Sequence, residues 1–300
     1  DLGPVSPPSL SSALTDEHLE TWRRDGYCIV ESFIDRDVVA EAVQQLHLRL
    51  PTWEQFRHDR SSWPDAMPLS RRQFPYREPL LNELALNPEL ISFARRALET
   101  DDIMLSHSEA LTKYASEHDF DQQMHMDFPN NTFVVPMADH VEQLASISYL
   151  TDVSIELGPT MVVSFADGGP WADRHRWQRD EAPELYERER AVTVPAGSIL
   201  LYSMRTLHRG SAITASEGLR HSIHIAYQHR SMTWGGWRDF VREAHLPPSD
   251  EFVTRLTTDQ RTMLGFPPPG DGYWTIESIA AVQRRYPEMD LTDYRVDRRA

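Results

Sequence analysis

Hydrophobic residues change their spacing twice along this chain, dividing it into a helical stretch, a strand-rich stretch and a second helical one. In the first, residues 15–100, apolar positions recur at intervals of three and four. Thr15-Asp16-Glu17-His18 supplies a capping hydroxyl and first-turn acids; Leu19, Trp22 and Arg23 continue the helix until Gly26 stops it. Tyr27 to Phe33 reads as a strand. Asp35 opens a second helix through Leu50, with Val38, Val39, Ala42, Val43 and Leu46 on one stripe. Residues 51–80, rich in Pro, Arg and Trp, read as irregular. Pro88 at a first helical turn, followed by Leu90, Ile91, Ala94 and Leu98, marks a third helix.

From Ile103 the pattern shortens. Segments 103–114, 132–136, 145–151, 160–165, 191–194, 199–203 and 221–228 are short and β-prone. Pro129-Asn130-Asn131, Gly158-Pro159 and Ala196-Gly197 punctuate them as turns. Many short strands in succession predict a sandwich or barrel, with a double-sheet jelly roll as the natural arrangement. The charged, aromatic segment 171–190 reads as an insertion, and past residue 240 the spacing is helical again, divided by Pro267-Pro268-Pro269-Gly270. The expected class is α+β with a mainly β core, a jelly roll flanked by helices. A single domain spans 1–300: a loose Pro/Ser-rich tail at 1–14, a mostly helical part at 15–100, the barrel at 101–230 and a helical extension at 231–300.

Composition narrows the functional classes. A chain of 300 residues can bury one large core. The net charge of −16 argues against a phosphate-backbone partner, because nucleic-acid binders carry a basic face. No apolar run approaches the ~18 residues that span a bilayer, so no membrane partner is expected. The amino end carries no charged-then-apolar signal pattern. The lone Cys28, in an apolar stretch, cannot form an internal disulfide and fits a reducing cytoplasm. Arginine supplies all but one of the 30 basic residues; the exception is Lys113. Eight tryptophans and ten tyrosines suggest aromatic-lined pockets and a hydrophobic small-molecule substrate.

The chemistry concentrates in His125-Met126-Asp127, His208 and Arg220. Alternate residues of an extended segment share a face, so His125 and Asp127 lie with Cα atoms roughly 6.5–7 Å apart, close enough to grip one ion. A third ligand from a distant strand completes the two-histidine, one-carboxylate face that leaves positions open on non-haem iron(II). His208 follows the turn-plus-strand Gly197-Ser198-Ile199-Leu200-Leu201-Tyr202, which would deliver it at a strand end. Arg220 opens an alternating strand with Ser222, His224 and Ala226 on its face, and Ile223, Ile225 and Tyr227 on the other. A guanidinium fork with a hydroxyl beside it can hold a carboxylate.

This order of residues resembles the iron(II)/2-oxoglutarate oxygenases, and within them the phytanoyl-CoA dioxygenase family. The likeness extends to Leu19-Glu20-x-Trp22-x-x-Asp25-Gly26-Tyr27-x-Ile29-Val30, to Gly158-Pro159-Thr160-Met161-Val162-Val163 and to Pro195-Ala196-Gly197-Ser198, covering roughly residues 15–230. The resemblance implies a cupin-like double-stranded β-helix in which His125, Asp127 and His208 hold Fe(II). Arg220 with Ser222 would bind the distal carboxylate of 2-oxoglutarate, O₂ would be the second cosubstrate, and Lys113 would meet the cosubstrate or substrate. It also implies hydroxylation of a small molecule, an acyl thioester or amino-acid derivative among the classes allowed. Asp127 argues against halogenation, because related halogenases give up that carboxylate. Ser164-Phe165-Ala166-Asp167 departs from the family's usual Pro-Gly-Ser-His, which puts the shape of the entrance in question.

Charge balance agrees with this reading. Fe(II), one carboxylate and two neutral imidazoles leave a single positive charge; a dianionic cosubstrate and Arg220 bring the pocket to neutrality, where an unpaired buried ion would be costly.

His221, His224 and His229 do not make a zinc site, because His221 and His224 fall on opposite faces of the strand, and no cysteine pair exists for structural zinc. Trp234-Gly235-Gly236-Trp237 is a candidate wall for the substrate pocket, or core packing. Two other readings remain open: a barrel that binds a small molecule without oxidising it, and a metal-dependent isomerase or 2-oxoglutarate-independent oxygenase.

Overall fold

The computed structural model describes residues 8–63, 71–74, 76–127, 143–172, 174, 176–229 and 266–295, together with 253, 254, 256, 258 and 261. The expected strand at 132–136, the Pro129-Asn130-Asn131 turn and Trp234 and Trp237 lie outside these residues.

Helix α1 (Asp16–Asp25) begins at Thr15, whose hydroxyl accepts from the His18 backbone N–H while the His18 ring accepts from the Thr15 N–H. It ends at Gly26, in the left-handed region at φ 81°, where a Cβ would lie 2.5 Å from the Phe165 ring. The turn leads directly into β1 (Tyr27–Val30), and α2 (Arg36–His47) follows. Contrary to the irregular reading of 51–80, a short helix, α3 (Trp53–His58), and a strand, β2 (Arg71–Gln73), lie there, and α4 (Pro79–Ala85) begins at the segment's end. Thr52 and Gln55 form a capping box, and Pro79 sits at the first turn of α4, so both starts rest on local chemistry rather than long periodicity. Helix α5 (Pro88–Leu98) matches expectation.

The remaining strands are β3 (Ile103–Tyr114), β4 (Met124–His125), β5 (Gln143–Tyr149), β6 (Thr160–Val162), β7 (Arg176–Trp177), β8 (Arg190–Ala191), β9 (Ile199–Ser203), β10 (His208–Gly210) and β11 (Leu219–His229). They form a six-stranded antiparallel sheet in the order β1-β9-β5-β11-β3-β2 and a five-stranded one in the order β7-β4-β10-β6-β8. This is the expected two-sheet, helix-flanked architecture.

Alternation explains the layering. Ile199, Leu201, Ile223, Ile225 and Tyr227 turn outward into one cluster with Leu19, Trp22, Leu46, Leu81 and Phe93 of the helices. Leu200, Tyr202, Ala145, Ile147, Tyr149 and Ala226 turn inward against Val162 of the smaller sheet. Residues 10–14 differ from the loose tail expected: Leu10 bridges Ile34, the Ser11 N–H donates to the Phe33 carbonyl and Leu14 is buried. Segment 171–190 also differs, since β7 within it joins the smaller sheet beside His125. The segment expected as a strand at 160–165 ends at Val162; Ser164 then caps a short helix, Phe165–Gly168, whose Phe165 covers the Gly26 turn. Near the carboxyl end, the helix Ile276–Arg285 contributes Val282 to a separate small core with Phe266, Trp274, Tyr286 and Tyr294.

Candidate metal centre

His125 ends β4 and His208 begins β10, and the two face each other directly in the antiparallel ladder. Their rings lie 4.5 Å apart between centroids. His208 starts a strand of its own; it does not close the strand at 199–203 as the sequence suggested. Met124 and Met126 occupy the alternate face, buried with Val163, Leu185 and Leu207, so His125 and Asp127 point the other way together.

Both imidazoles are locked by the same device. His125 Nδ1 lies 2.8 Å from the carbonyl of Gln123, and His208 Nδ1 lies 2.9 Å from that of Thr206. A carbonyl can only accept, so each Nδ1 carries the proton and each Nε2 keeps its lone pair for an ion. Burial, and then the neighbouring His208, push His125 down to about 4, so it is neutral at pH 7. Asp127 completes the set: Oδ1 is 3.9 Å from His125 Nε2 and Oδ2 is 3.8 Å from His208 Nε2. All three donors fall within 4.8 Å of one another, and this is the one such group among the described residues. With ligand bonds of about 2.1 Å, donors up to about 4.2 Å apart can share one ion. The pairs at 3.8 and 3.9 Å meet that limit through different carboxylate oxygens, so the set would draw slightly closer around an ion, and two imidazoles with one carboxylate suit a first-row divalent metal.

The next residue of β10 braces the strand from behind. Arg209 is buried and makes a two-pronged ion pair with Glu189, both contacts at 2.7 Å, and a third contact with Asp121 at 2.8 Å.

Across the barrel, Arg220 and Lys113 are direct cross-strand partners of β11 and β3, both nearly inaccessible. Arg220 donates through Nη1 to the carbonyl of Gly158 and lies 5.9 Å from the Tyr149 ring. Its Nε is buried without a hydrogen-bond partner among the described residues, and burial lowers its pKa. Lys113 Nζ donates to the Ser211 carbonyl at 3.1 Å; burial, then the Arg220 charge, push it down to about 7. No carboxylate among the described residues lies within ion-pair distance of either cation. A buried guanidinium with an unpartnered N–H, beside a buried lysine, suits an anionic ligand. Gly158 must be glycine here: its φ is +66° and a Cβ would fall 2.7 Å from the Ser211 carbonyl oxygen.

The two features meet at β10. A Cβ on Gly210 would lie 3.3 Å from Lys113 Nζ, and Gly210 is two residues, or about 6.6 Å, along the strand from His208. Ser222 is fully buried on the face of Arg220, its hydroxyl 3.4 Å from the Leu111 carbonyl and 3.3 Å from His224 Nε2. His221 turns the other way, 2.7 Å from the Thr112 hydroxyl, as alternation required.

Sequence reasoning passed over Tyr202 and Tyr149. The Tyr202 hydroxyl reaches Asp127 Oδ2 at 3.4 Å and its ring lies 4.8 Å from that of His208. Tyr149 donates to the Thr160 hydroxyl at 2.8 Å. The signal was available in β9, where alternation with the inward Leu200 aims Tyr202 at the barrel interior.

The sequence profile of the family described as phytanoyl-CoA dioxygenase matches residues 22–222. No curated protein matches the chain. Among solved structures, EvdO2 from Micromonospora carbonacea var. aurantiaca is similar with a TM-score of 0.55 at 16% identity, over 74% of this chain and 94% of that one. HygX from Streptomyces hygroscopicus, with nickel and 2-oxoglutarate bound, gives 0.53 at 18% identity, over 74% and 90%. The carbocyclase SnoK from nogalamycin biosynthesis, described as non-heme and alpha ketoglutarate dependent, gives 0.51 at 20% identity, over 74% and 87%. At such identities the likeness is one of fold.

Proposed function

The chain belongs to the phytanoyl-CoA dioxygenase family, and from that premise we propose that it is an iron(II)- and 2-oxoglutarate-dependent dioxygenase that hydroxylates an unactivated C–H bond of a small molecule. Succinate and CO₂ leave as coproducts, so that one oxygen atom of O₂ enters the substrate and the other enters succinate. The iron with its two cosubstrates supplies the oxidising power.

The chain's own residues bind and orient. His125, Asp127 and His208 hold the ion on one face and leave the opposite face to ligands. Arg220 takes the distal carboxylate of 2-oxoglutarate, Lys113 adds a second positive group from the neighbouring strand, and Ser222 lines the same face. Tyr149 and Thr160, both buried, satisfy each other on that wall, where burial strengthens charge pairing. Buried Cys28, its thiol pushed up to about 11 chiefly by burial, takes no part; a reduced thiol suits a cytoplasmic setting. No helix among the described residues is long and apolar enough to cross a membrane.

The observation that carries this reading is the pairing of two Nδ1-locked histidines and a carboxylate with two buried cations that no carboxylate among the described residues meets at ion-pair distance. Anaerobic loading with Fe(II), followed by assay of 2-oxoglutarate-dependent succinate release on admitting O₂, tests it. Stoichiometric iron and succinate release that requires 2-oxoglutarate are expected. Iron binding without succinate release would leave a non-oxidising binding barrel, and turnover insensitive to 2-oxoglutarate would point to an isomerase or another kind of oxygenase.

A further inference from the structure

Tyr202 is an expensive choice for its position. Its neighbours inside the barrel are Ala145, Ile147, Val162 and Leu200, an apolar cluster in which a phenylalanine would pack as well. Tyr202 is 5% exposed, and a buried hydroxyl destabilises unless it finds a partner. Its hydrogen-bond partner is Asp127 Oδ2, at 3.4 Å. A phenol O–H donates and an ionised carboxylate only accepts, so the hydrogen bond runs from Tyr202 to Asp127.

The two carboxylate oxygens are not equivalent. Oδ1 faces His125 Nε2, while Oδ2 faces His208 Nε2 and also receives the tyrosine hydroxyl. We propose that Tyr202 is a positioning residue that keeps Asp127 monodentate, occupying Oδ2 and leaving Oδ1 as the metal donor. The inference rests on the iron reading given above. Its chemical content is a count of positions. Three protein donors would fill half of an octahedral shell and leave three positions for a chelating 2-oxo acid and O₂. A carboxylate gripping through both oxygens would compete for one of those positions or displace one arm of the cosubstrate. The 3.4 Å separation is long for an O–H donor, as expected of a contact that tightens when the ligands arrive.

Two variants of the full chain separate the hydroxyl from the ring: Tyr202→Phe removes only the donor, and Tyr202→Leu also removes the ring that packs on His208. The probes are Co(II), whose visible spectrum reports coordination, and 2-oxoglutarate, titrated into the cobalt-loaded protein by calorimetry. In Tyr202→Phe the cobalt spectrum is expected to shift and the 2-oxoglutarate affinity to fall about tenfold, the lower end of what loss of a supporting partner behind a metal ligand costs. Tyr202→Leu should show the same shift. A wild-type spectrum and affinity in Tyr202→Phe would overturn the inference, and if only Tyr202→Leu is impaired, the residue acts through ring packing alone. Failure of the wild-type chain to bind Co(II) at all would overturn the metal reading itself and this inference with it.

Discussion

Along its whole length Leu219–His229, β11 is paired with β3 on one side, and over Ser222–Gln228 with β5 on the other, whereas the opposite sheet is assembled from strands of two or three residues. The long-stranded sheet is backed by helices and shares their core; the short-stranded one carries His125 and His208. Long ladders fix Arg220 and Lys113 through many backbone hydrogen bonds. The short strands cannot do this for His125 and His208, and local devices replace the ladder: the Nδ1 contacts to Gln123 and Thr206, and the Arg209–Glu189 ion pair. On the proposed function, the barrel would separate two tasks, a stable wall to anchor the cosubstrate and a locally locked edge to hold the ion.

That division can be broken from either side. The largest effect is expected from Asp127→Ala, which should abolish coupled turnover and weaken metal binding beyond the roughly 10–100-fold that loss of a supporting partner costs, read by metal titration and succinate assay. Its metal-free thermal midpoint should fall modestly, because the buried Tyr202 hydroxyl loses its acceptor. Arg220→Ala should leave metal affinity intact and raise the 2-oxoglutarate requirement by about 10- to 100-fold, in line with about 1.5–3 kcal/mol for a hydrogen bond to a charged group. An equal loss of metal affinity would show that the two walls are not separable. Leu201→Ala, fully buried between the long-stranded sheet and the helices, should lower unfolding free energy by about 2–5 kcal/mol in urea titrations without moving metal affinity in the folded fraction.

The smallest effect is expected from Lys113, and it depends on pH. Burial holds its pKa at about 7 in the folded chain against an ordinary 10.5. Between those values the unfolded chain binds a proton that the folded one does not, so this residue makes stability rise with pH from about 7 to 10.5 when no cosubstrate is bound. Lys113→Met should remove that rise in urea titrations across the window. A dianion beside the amine favours its charged form, so 2-oxoglutarate affinity should fall as pH climbs above 7 in the wild type and vary less in the variant.

Much of this was legible in the sequence, for identifiable reasons. His125 and Asp127 share a face because they are two residues apart in extended chain, and strand alternation alone placed Arg220, Ser222 and His224 opposite Ile223 and Ile225. Pairings across long loops were not legible: nothing local says that Lys113 meets Arg220, or that Tyr202 reaches Asp127. Strand β7 was hidden because two paired residues inside a charged segment carry no periodicity, and Arg176-Trp177 became visible as a strand only beside His125. The helices Trp53–His58 and Pro79–Ala85 were missed because they run one or two turns, too short for a stripe. Their capping box at Thr52 and proline at 79 were the readable signs.

The direct opposition of His125 and His208 has a bearing on how the chain reaches its native state. A slip of β10 by one residue would swing His208 out of the barrel and bring Arg209 in. An ion that needs both imidazoles can therefore bind only the correct alignment, and its binding energy is withheld from every misaligned pairing. For strands this brief, a metal held as proposed would act as a checkpoint on assembly as well as a reagent.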